Sequence, residues 1–253
     1  MCTDCGCSIT RSDKHHHHHD DISSNPQLND EKTLSVIHKI LDKNDVQANH
    51  NREHFQKHNI SAYNLMSSPG SGKTTLLEHL VDHCKLNYAV VEGDLETSRD
   101  ADRLKAKGIE AFQIQTGSAC HLDAFMVHDA LHNVSLEKAD ICFVENVGNL
   151  VCPASYDLGA HKNIVLLSVP EGDDKVEKYP VMFRRADLVI ISKCDLLPYF
   201  DFDVADAKAH IHKLNPDATV LEVSTKEPET LKAVNQWLEQ NHQDIISANA
   251  DTA

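Results

Sequence analysis

A chain of 253 residues that is 41% hydrophobic can bury a sizeable core, which excludes a small disulfide-stapled scaffold and fits one large α/β domain with short extensions better than two domains. Its formal net charge of -15 creates a negative field that disfavours nucleic acid and anionic membrane surfaces, leaving proteins, cations and cation-bound phosphates as partners. No segment approaches the ~20 apolar residues of a membrane span and residues 1–28 lack the apolar stretch of a secretory signal, so the expectation is a cytoplasmic protein whose eight cysteines are thiols.

Residues 1–28 are polar and without period, and predict a flexible tail holding Cys2, Cys5 and Cys7 and the run His15 to His19. Residues 29–58 predict an amino-terminal helix and linker. Asn29 is a cap candidate, Leu34, Ile37 and Leu41 recur at helical spacing to about Lys43, and the polar stretch that follows fits helix or extended chain. From residue 60 short apolar runs alternate with amphipathic helices, the pattern of a mostly parallel sheet built from βαβ units and flanked by helices. The strands are expected at 62–66, 88–91, 111–115, 141–144, 164–169, 188–191 and 219–223. Between them, Leu76, Leu77, Leu80 and Val81 share one helix face; Leu122, Phe125, Met126 and Ala130 share another; Leu231, Val234 and Leu238 follow Pro228 on a third. This domain is expected to span 59–245, with 246–253 a disordered end.

The stretch "MSSPGSGKTTLLEHL" predicts a phosphate-binding loop between a strand and a helix. Gly70 and Gly72, flanking Ser71, let backbone N–H groups turn toward phosphate oxygens. Lys73 reaches the terminal phosphates, the Thr74 hydroxyl ligates Mg²⁺ beside Thr75, and the helix points its positive end at the same anion. Ser67 stands where such loops carry their first glycine. A chain with this loop is a P-loop NTPase.

The base is read elsewhere. "SKCDLL" follows an apolar strand and offers Lys193 to pack over a base and Asp195 to accept from guanine's ring N–H and exocyclic amine, an arrangement adenine leaves unpaired. Ser192 replaces the usual Asn of such loops, and Ser224 and Thr225 follow the next strand, in position to close over the base. Asp94 and Glu145 end two further strands and are candidates for Mg²⁺ and hydrolysis; Gly148 is placed to offer its N–H to the γ-phosphate.

Cys120 and His121 are adjacent and Cys152 lies seven residues beyond Glu145. Cysteine and histidine suit Zn²⁺ or Ni²⁺, but three ligands leave the shell incomplete, to be filled by water or by a second copy of the chain. Singly, Cys152 reads as well as a buried small residue and His121 as a helix cap. Together they gain weight because Cys152 sits on the loop that senses the γ-phosphate, so nucleotide state would alter the metal's surroundings. Cys142, inside an apolar run, reads as core.

Taken together, "MCTDCGC", "SSPGSGKTTLLE", "EGDLETSRDADR", "TGSACHLDA", "ENVGNLVCPASYDLG", "SVPEGDDKVEKYP" and "SKCDLLPY" resemble the HypB family, the nickel-insertion GTPases of nickel-iron hydrogenase maturation. The resemblance implies a GTPase of the signal-recognition and MinD-like class, dimerised by nucleotide, with slow GTP hydrolysis coupled to nickel delivery. It implies as partners a HypA-type nickel chaperone, the hydrogenase large-subunit precursor and a nickel-binding prolyl isomerase. Carried onto this chain, it places Mg²⁺ on Thr74, Asp94 and Glu145, with Lys73, Asp94 and Glu145 serving hydrolysis; a Zn²⁺ or Ni²⁺ site on Cys120, His121 and Cys152; and a tail nickel site on Cys2, Cys5 and Cys7. Three thiolates in that spacing can wrap one ion, with the amino terminus as a candidate fourth ligand, and the histidine run reads as nickel buffering. Two alternatives stand beside this: a nickel store with a vestigial GTPase, and a GTPase serving urease.

Overall fold

The structure, a computed structural model, describes residues 31–94, 99–117 and 119–250, with side chains described from 39 onward except those of His83 and Asp94. Seven strands make one sheet: β1 (Ser61–Ser67), β2 (Tyr88–Asp94), β3 (Glu110–Gln115), β4 (Ile141–Glu145), β5 (Lys162–Ser168), β6 (Leu188–Ser192) and β7 (Thr219–Val223). Their order is β3-β2-β4-β1-β5-β6-β7 and each neighbouring pair is parallel. From β1 the chain moves to one side of the sheet through β2 and β3, returns in β4, and then crosses to the other side in β5. The reversal leaves a crevice at the carboxyl end of β1, where open α/β sheets receive their ligands.

Strand periodicity divides the core. Tyr63, Leu65, Ile164, Leu166, Leu188 and Ile190 face one way and pack on α2 (Lys73–Leu80), α3 (Arg99–Ala106) and α8 (Pro228–Ala250). The alternating positions face the other way. Val165, Leu167, Val189 and Ile191 meet α5 (Lys175–Lys178), α6 (Pro180–Arg184) and α7 (Val204–Leu214), while Ala62, Val91 and Val144 meet α1 (Glu31–Lys57) and α4 (Ala124–Leu131). Cys142 is fully buried there, and burial pushes its thiol up to about 12, as expected of a core residue.

Three expectations need correction. The amino-terminal helix does not stop near Lys43 but runs unbroken to Lys57. From residue 39 onward its inward stripe is Asn44, Ala48, Asn51 and Phe55, so two of the four buried positions among the described side chains are polar and hydrophobic periodicity is blind to them. Both asparagines are satisfied: Asn44 donates to the Asp157 carbonyl at 2.8 Å and accepts from the Ala124 N–H at 2.9 Å, while Asn51 donates to the Ala124 and Leu158 carbonyls. Gly159 permits this docking, because a Cβ there would lie 2.4 Å from the Ala48 carbonyl oxygen. Second, Phe125 is 48% exposed. The helix starts at Ala124, with Asp123 capping Met126 N–H at 2.8 Å, and from that start the inward face is Ala124, Val127, Ala130 and Leu131. Third, the end of the chain is not disordered from 246: α8 continues to Ala250, and Gln56 donates to Asn249 at 2.8 Å. Among the described residues no helix is long and apolar enough to cross a membrane.

Candidate functional site

The phosphate loop leaves β1 at Ser67 and re-enters helix at Lys73. Gly70 and Gly72 adopt φ of 76° and 98°, conformations that L side chains resist, so the loop's shape depends on glycine at both positions. Ser67 is no obstacle: fully buried, it accepts from Lys73 Nζ at 3.1 Å and donates to the Ser68 carbonyl. The lysine is thereby held over the loop. Ser71 to Thr75, Glu145, Lys193 and Thr225 line a cleft of about 340 Å³ together with Asp100 and Arg103.

The Thr74 hydroxyl lies 2.9 Å from Glu145 Oε1 and 3.3 Å from Asp100 Oδ2. Such a cluster of hard oxygens beside a phosphate loop fits Mg²⁺. Asp94 ends β2 with its backbone paired opposite Gln115; its side chain lies outside the described residues, as do Cys2, Cys5, Cys7 and the histidine run. Asp100 and Arg103 went unnoticed in the sequence. Arg103 pairs with Glu78 at 2.6 Å and with Asp100 at 2.7 Å, and the hydrogen bond it donates to the Asp100 carboxylate raises its already high pKa. Asp100 and Arg103 have no diagnostic spacing, and only the fold brings them to the cleft.

At the base end, Ser192 donates to the Ser71 carbonyl at 3.0 Å and Lys193 Nζ to the Gly70 carbonyl at 2.7 Å. The serine that replaces Asn thus ties the strand end of β6 to the phosphate loop. Asp195 accepts from Ser224 Oγ at 2.9 Å and pairs with Lys226 Nζ at 2.6 Å; the lysine's hydrogen bond holds its carboxyl below the usual carboxylate range. An ionised acceptor at this point is what a guanine edge requires.

The second constellation lies beyond the carboxyl end of β4. Cys120 Sγ is 3.1 Å from Cys152 Sγ and 3.5 Å from His121 Nδ1, and the three donor atoms lie within 4.8 Å of one another. The sulfurs are too far apart for a disulfide, whose bond is about 2.05 Å. Two sulfurs about 2.3 Å from one ion are roughly 3.8 Å apart at a tetrahedral angle and roughly 3.3 Å at a right angle, so the pair is slightly more compact than either and opens little to take one. The ring of Tyr156 stacks on His121 at 4.1 Å and fixes its plane. Burial lowers the pKa of His121, favouring the neutral imidazole that binds metal.

A family model for the CobW/HypB/UreG nucleotide-binding domain matches residues 61–222. The chain belongs to this family. Within it, the chain is 51% identical over 221 residues to the hydrogenase/urease maturation factor HypB of Helicobacter pylori, covering 86% of this chain and 91% of that one. The structure is similar to that of HypB from Helicobacter pylori in complex with nickel (TM-score 0.78, 51% identity, 80% of this chain and 96% of that one). It is also similar to HypB from Archaeoglobus fulgidus (TM-score 0.75, 36% identity, 80% of this chain and all of that one, 100%). These relatives place the chain in the HypB branch.

One residue that sequence reasoning passed over stands between the two constellations. Asn146 is buried and follows Glu145. Its Oδ1 accepts from the Leu122 and Val147 N–H groups, each at 3.0 Å, and its Nδ2 donates to Asn64 at 3.2 Å. Leu122 is the residue after His121. Two positions on, Gly148 packs so tightly on the phosphate loop that a Cβ would lie 2.9 Å from the backbone of Pro69. The eight residues from Glu145 to Cys152 therefore touch the phosphate loop at their start and the metal corner at their end.

Proposed function

We propose that this chain is a GTP-hydrolysing nickel metallochaperone. It takes up Ni²⁺ at Cys120, His121 and Cys152, with Zn²⁺ as the competing ion, and delivers it in the maturation of a nickel-iron hydrogenase in the cytoplasm. The observation that carries this reading is the single run from Glu145, 2.9 Å from the phosphate-loop Thr74, to Cys152, 3.1 Å from Cys120. GTP enters the cleft with its guanine read by Asp195, flanked by Lys193, Ser224 and Thr225, and its phosphates held by the loop amides and Lys73. Thr74, Asp94 and Glu145 would hold Mg²⁺, which neutralises charge developing on the phosphates. Lys73 exchanges Ser67 Oγ for phosphate oxygen, and Gly148 is the residue of the run that meets the γ-phosphate.

Three ligands from one chain suit an ion completed by a second copy, and Val151, next to Cys152, is 53% exposed, an apolar surface that a partner copy would cover. A nickel-loaded dimer would receive or pass its ion through a HypA-type chaperone, a nickel-binding prolyl isomerase and the hydrogenase large-subunit precursor. The tail cysteines Cys2, Cys5 and Cys7 are a further nickel site in this reading. Urease is a second client, since the Helicobacter pylori relative is named for both enzymes.

The test is nickel transfer from the loaded protein to a chromophoric chelator, with GDP and with a non-hydrolysable GTP analogue. The expected outcome is a rate that differs several-fold between the two nucleotides. Equal rates mean that the run does not transmit nucleotide state, and the chain is then a nickel store.

A further inference from the structure

The seam between α1 and α4 carries a second group of side chains of metal-ligating type, four histidines that include none of the residues of the cysteine corner. His54 lies in the last turn of α1 and His58 in the turn just past its end; His128 and His132 stand one turn apart at the end of α4, His132 as its C-cap. Spacing of four residues puts each pair on one helix face. Nε2 of His128 lies 3.3 Å from Nε2 of His132. Two nitrogens bound about 2.0–2.1 Å from one ion at a tetrahedral angle are about 3.4 Å apart, so this pair is already at chelating distance. The ring centroids of His128 and His132 are 4.7 Å apart and those of His54 and His132 are 6.0 Å apart. Imidazoles that share an ion at that bond length have centroids roughly 4.5–6 Å apart; the donor nitrogens of the three rings are not yet all within 4.8 Å of one another, so His54 joins as a third ligand by turning its ring toward the pair.

The hydrogen-bond network also sets the tautomer. Asn51, fully buried, uses its Nδ2 on the Ala124 and Leu158 carbonyls at 2.8 and 3.0 Å, which turns its Oδ1 toward His128 Nδ1 at 3.2 Å. An amide oxygen can only accept, so Nδ1 carries the proton and the lone pair of His128 sits on Nε2, aimed at His132. This is how a metal-binding histidine is oriented by its outer partners. His54 has its pKa lowered, first by burial and then by the neighbouring histidines, and a neutral imidazole is the form that ligates. His54 and His128 are half-buried while His132 is exposed, so an ion reaches the group directly from solvent.

We propose that His54, His128 and His132 form a separate site for a borderline divalent cation of the Ni²⁺ and Zn²⁺ class, with water completing the shell, and that the bound ion clamps α1 onto α4. The site draws on neither nucleotide nor cysteine, and it stands independently of the function proposed above.

The test uses the full chain with Cys2, Cys5 and Cys7 changed to Ser and His15 to His19 changed to Asn, so that the tail does not compete. Ni²⁺ and Zn²⁺ are counted separately by equilibrium dialysis in this parent and in the parent carrying His132→Asn or His54→Asn. Each variant is expected to lose one bound ion per chain relative to the parent while keeping the ion held by the cysteines, which also reports an intact fold. Metal should slow hydrogen exchange over residues 50–58 in the parent and not in the variants. An unchanged ion count in either variant, or equal exchange with and without metal in the parent, overturns the site.

Discussion

The nucleotide cleft and the cysteine corner lie at the same edge of the sheet, yet they are built on opposite terms. In the cleft these charged groups are already engaged by protein: Lys73 by Ser67, Asp195 by Lys226 and Ser224, Glu145 by Thr74, Arg103 by Asp100 and Glu78. A nucleotide there must exchange partners, so binding rearranges the loops that supplied them. In the corner two sulfurs and an imidazole face one another beside a stacked tyrosine. A metal there needs only the thiol protons removed. One site is arranged to change on binding and the other to hold, and the run from Glu145 to Cys152 belongs to both.

The sharpest way to break this contrast is Lys73→Ala. Loss of the phosphate-loop lysine should lower the rate of nucleotide hydrolysis by about 10²-fold or more, measured as phosphate release under multiple turnover. Metal stoichiometry should be unchanged, because the corner does not share that lysine. Next in size is Cys152→Ser in a chain whose tail cysteines are also Ser. Displacing one of three ligands should weaken metal binding by at least the roughly 10–100-fold that loss of a mere supporting partner costs, read by competition with a chelator, with GDP affinity within about twofold of the parent. If GDP affinity falls with the metal, the two regions are one site and the contrast is false.

The cleft was far more legible in the sequence than the corner's surroundings, for a physical reason. A phosphate loop needs glycine at positive φ, a lysine and a hydroxyl at fixed spacing, so Gly70, Gly72, Lys73 and Thr74 announce themselves, and apolar runs disclosed all seven strands. Cys120, His121 and Cys152 were visible as ligand types, and the fold was needed to bring a pair 32 residues apart to 3.1 Å. What stayed hidden were polar side chains whose partners come from distant parts of the chain. Asn44 and Asn51 carry α1 past the point where hydrophobic period fades, Asp100 and Arg103 reach the cleft from α3, and His54 and His132 meet only because α1 crosses α4. Asparagine is ordinarily a surface or turn residue, and nothing in its neighbours' spacing tells that its amide will be fully used.

Asn146 gives the finest test, because it ties the loop of Cys120 and His121 to the strand end that carries Glu145. Changing it to Ala removes the acceptor for the Leu122 N–H, which is buried beside His121, and the donor to Asn64. A buried group left unpaired costs about 1–3 kcal/mol, so the melting temperature should fall by a few degrees while the sheet and both sites survive. Coupling should suffer more than either site. The loop of Cys120 and His121 would no longer be tied to the residue after Glu145, and a change at the phosphate end would have only Cys152 through which to reach the ion. Hydrolysis and metal stoichiometry are then expected to stay within about threefold of the parent, since no group that touches phosphate or metal is altered. The ratio of nickel transfer rates between the GTP analogue and GDP should move toward one. A ratio that stays at the parent's value would mean that Cys152 alone carries the signal and that Asn146 does no more than satisfy the backbone around it.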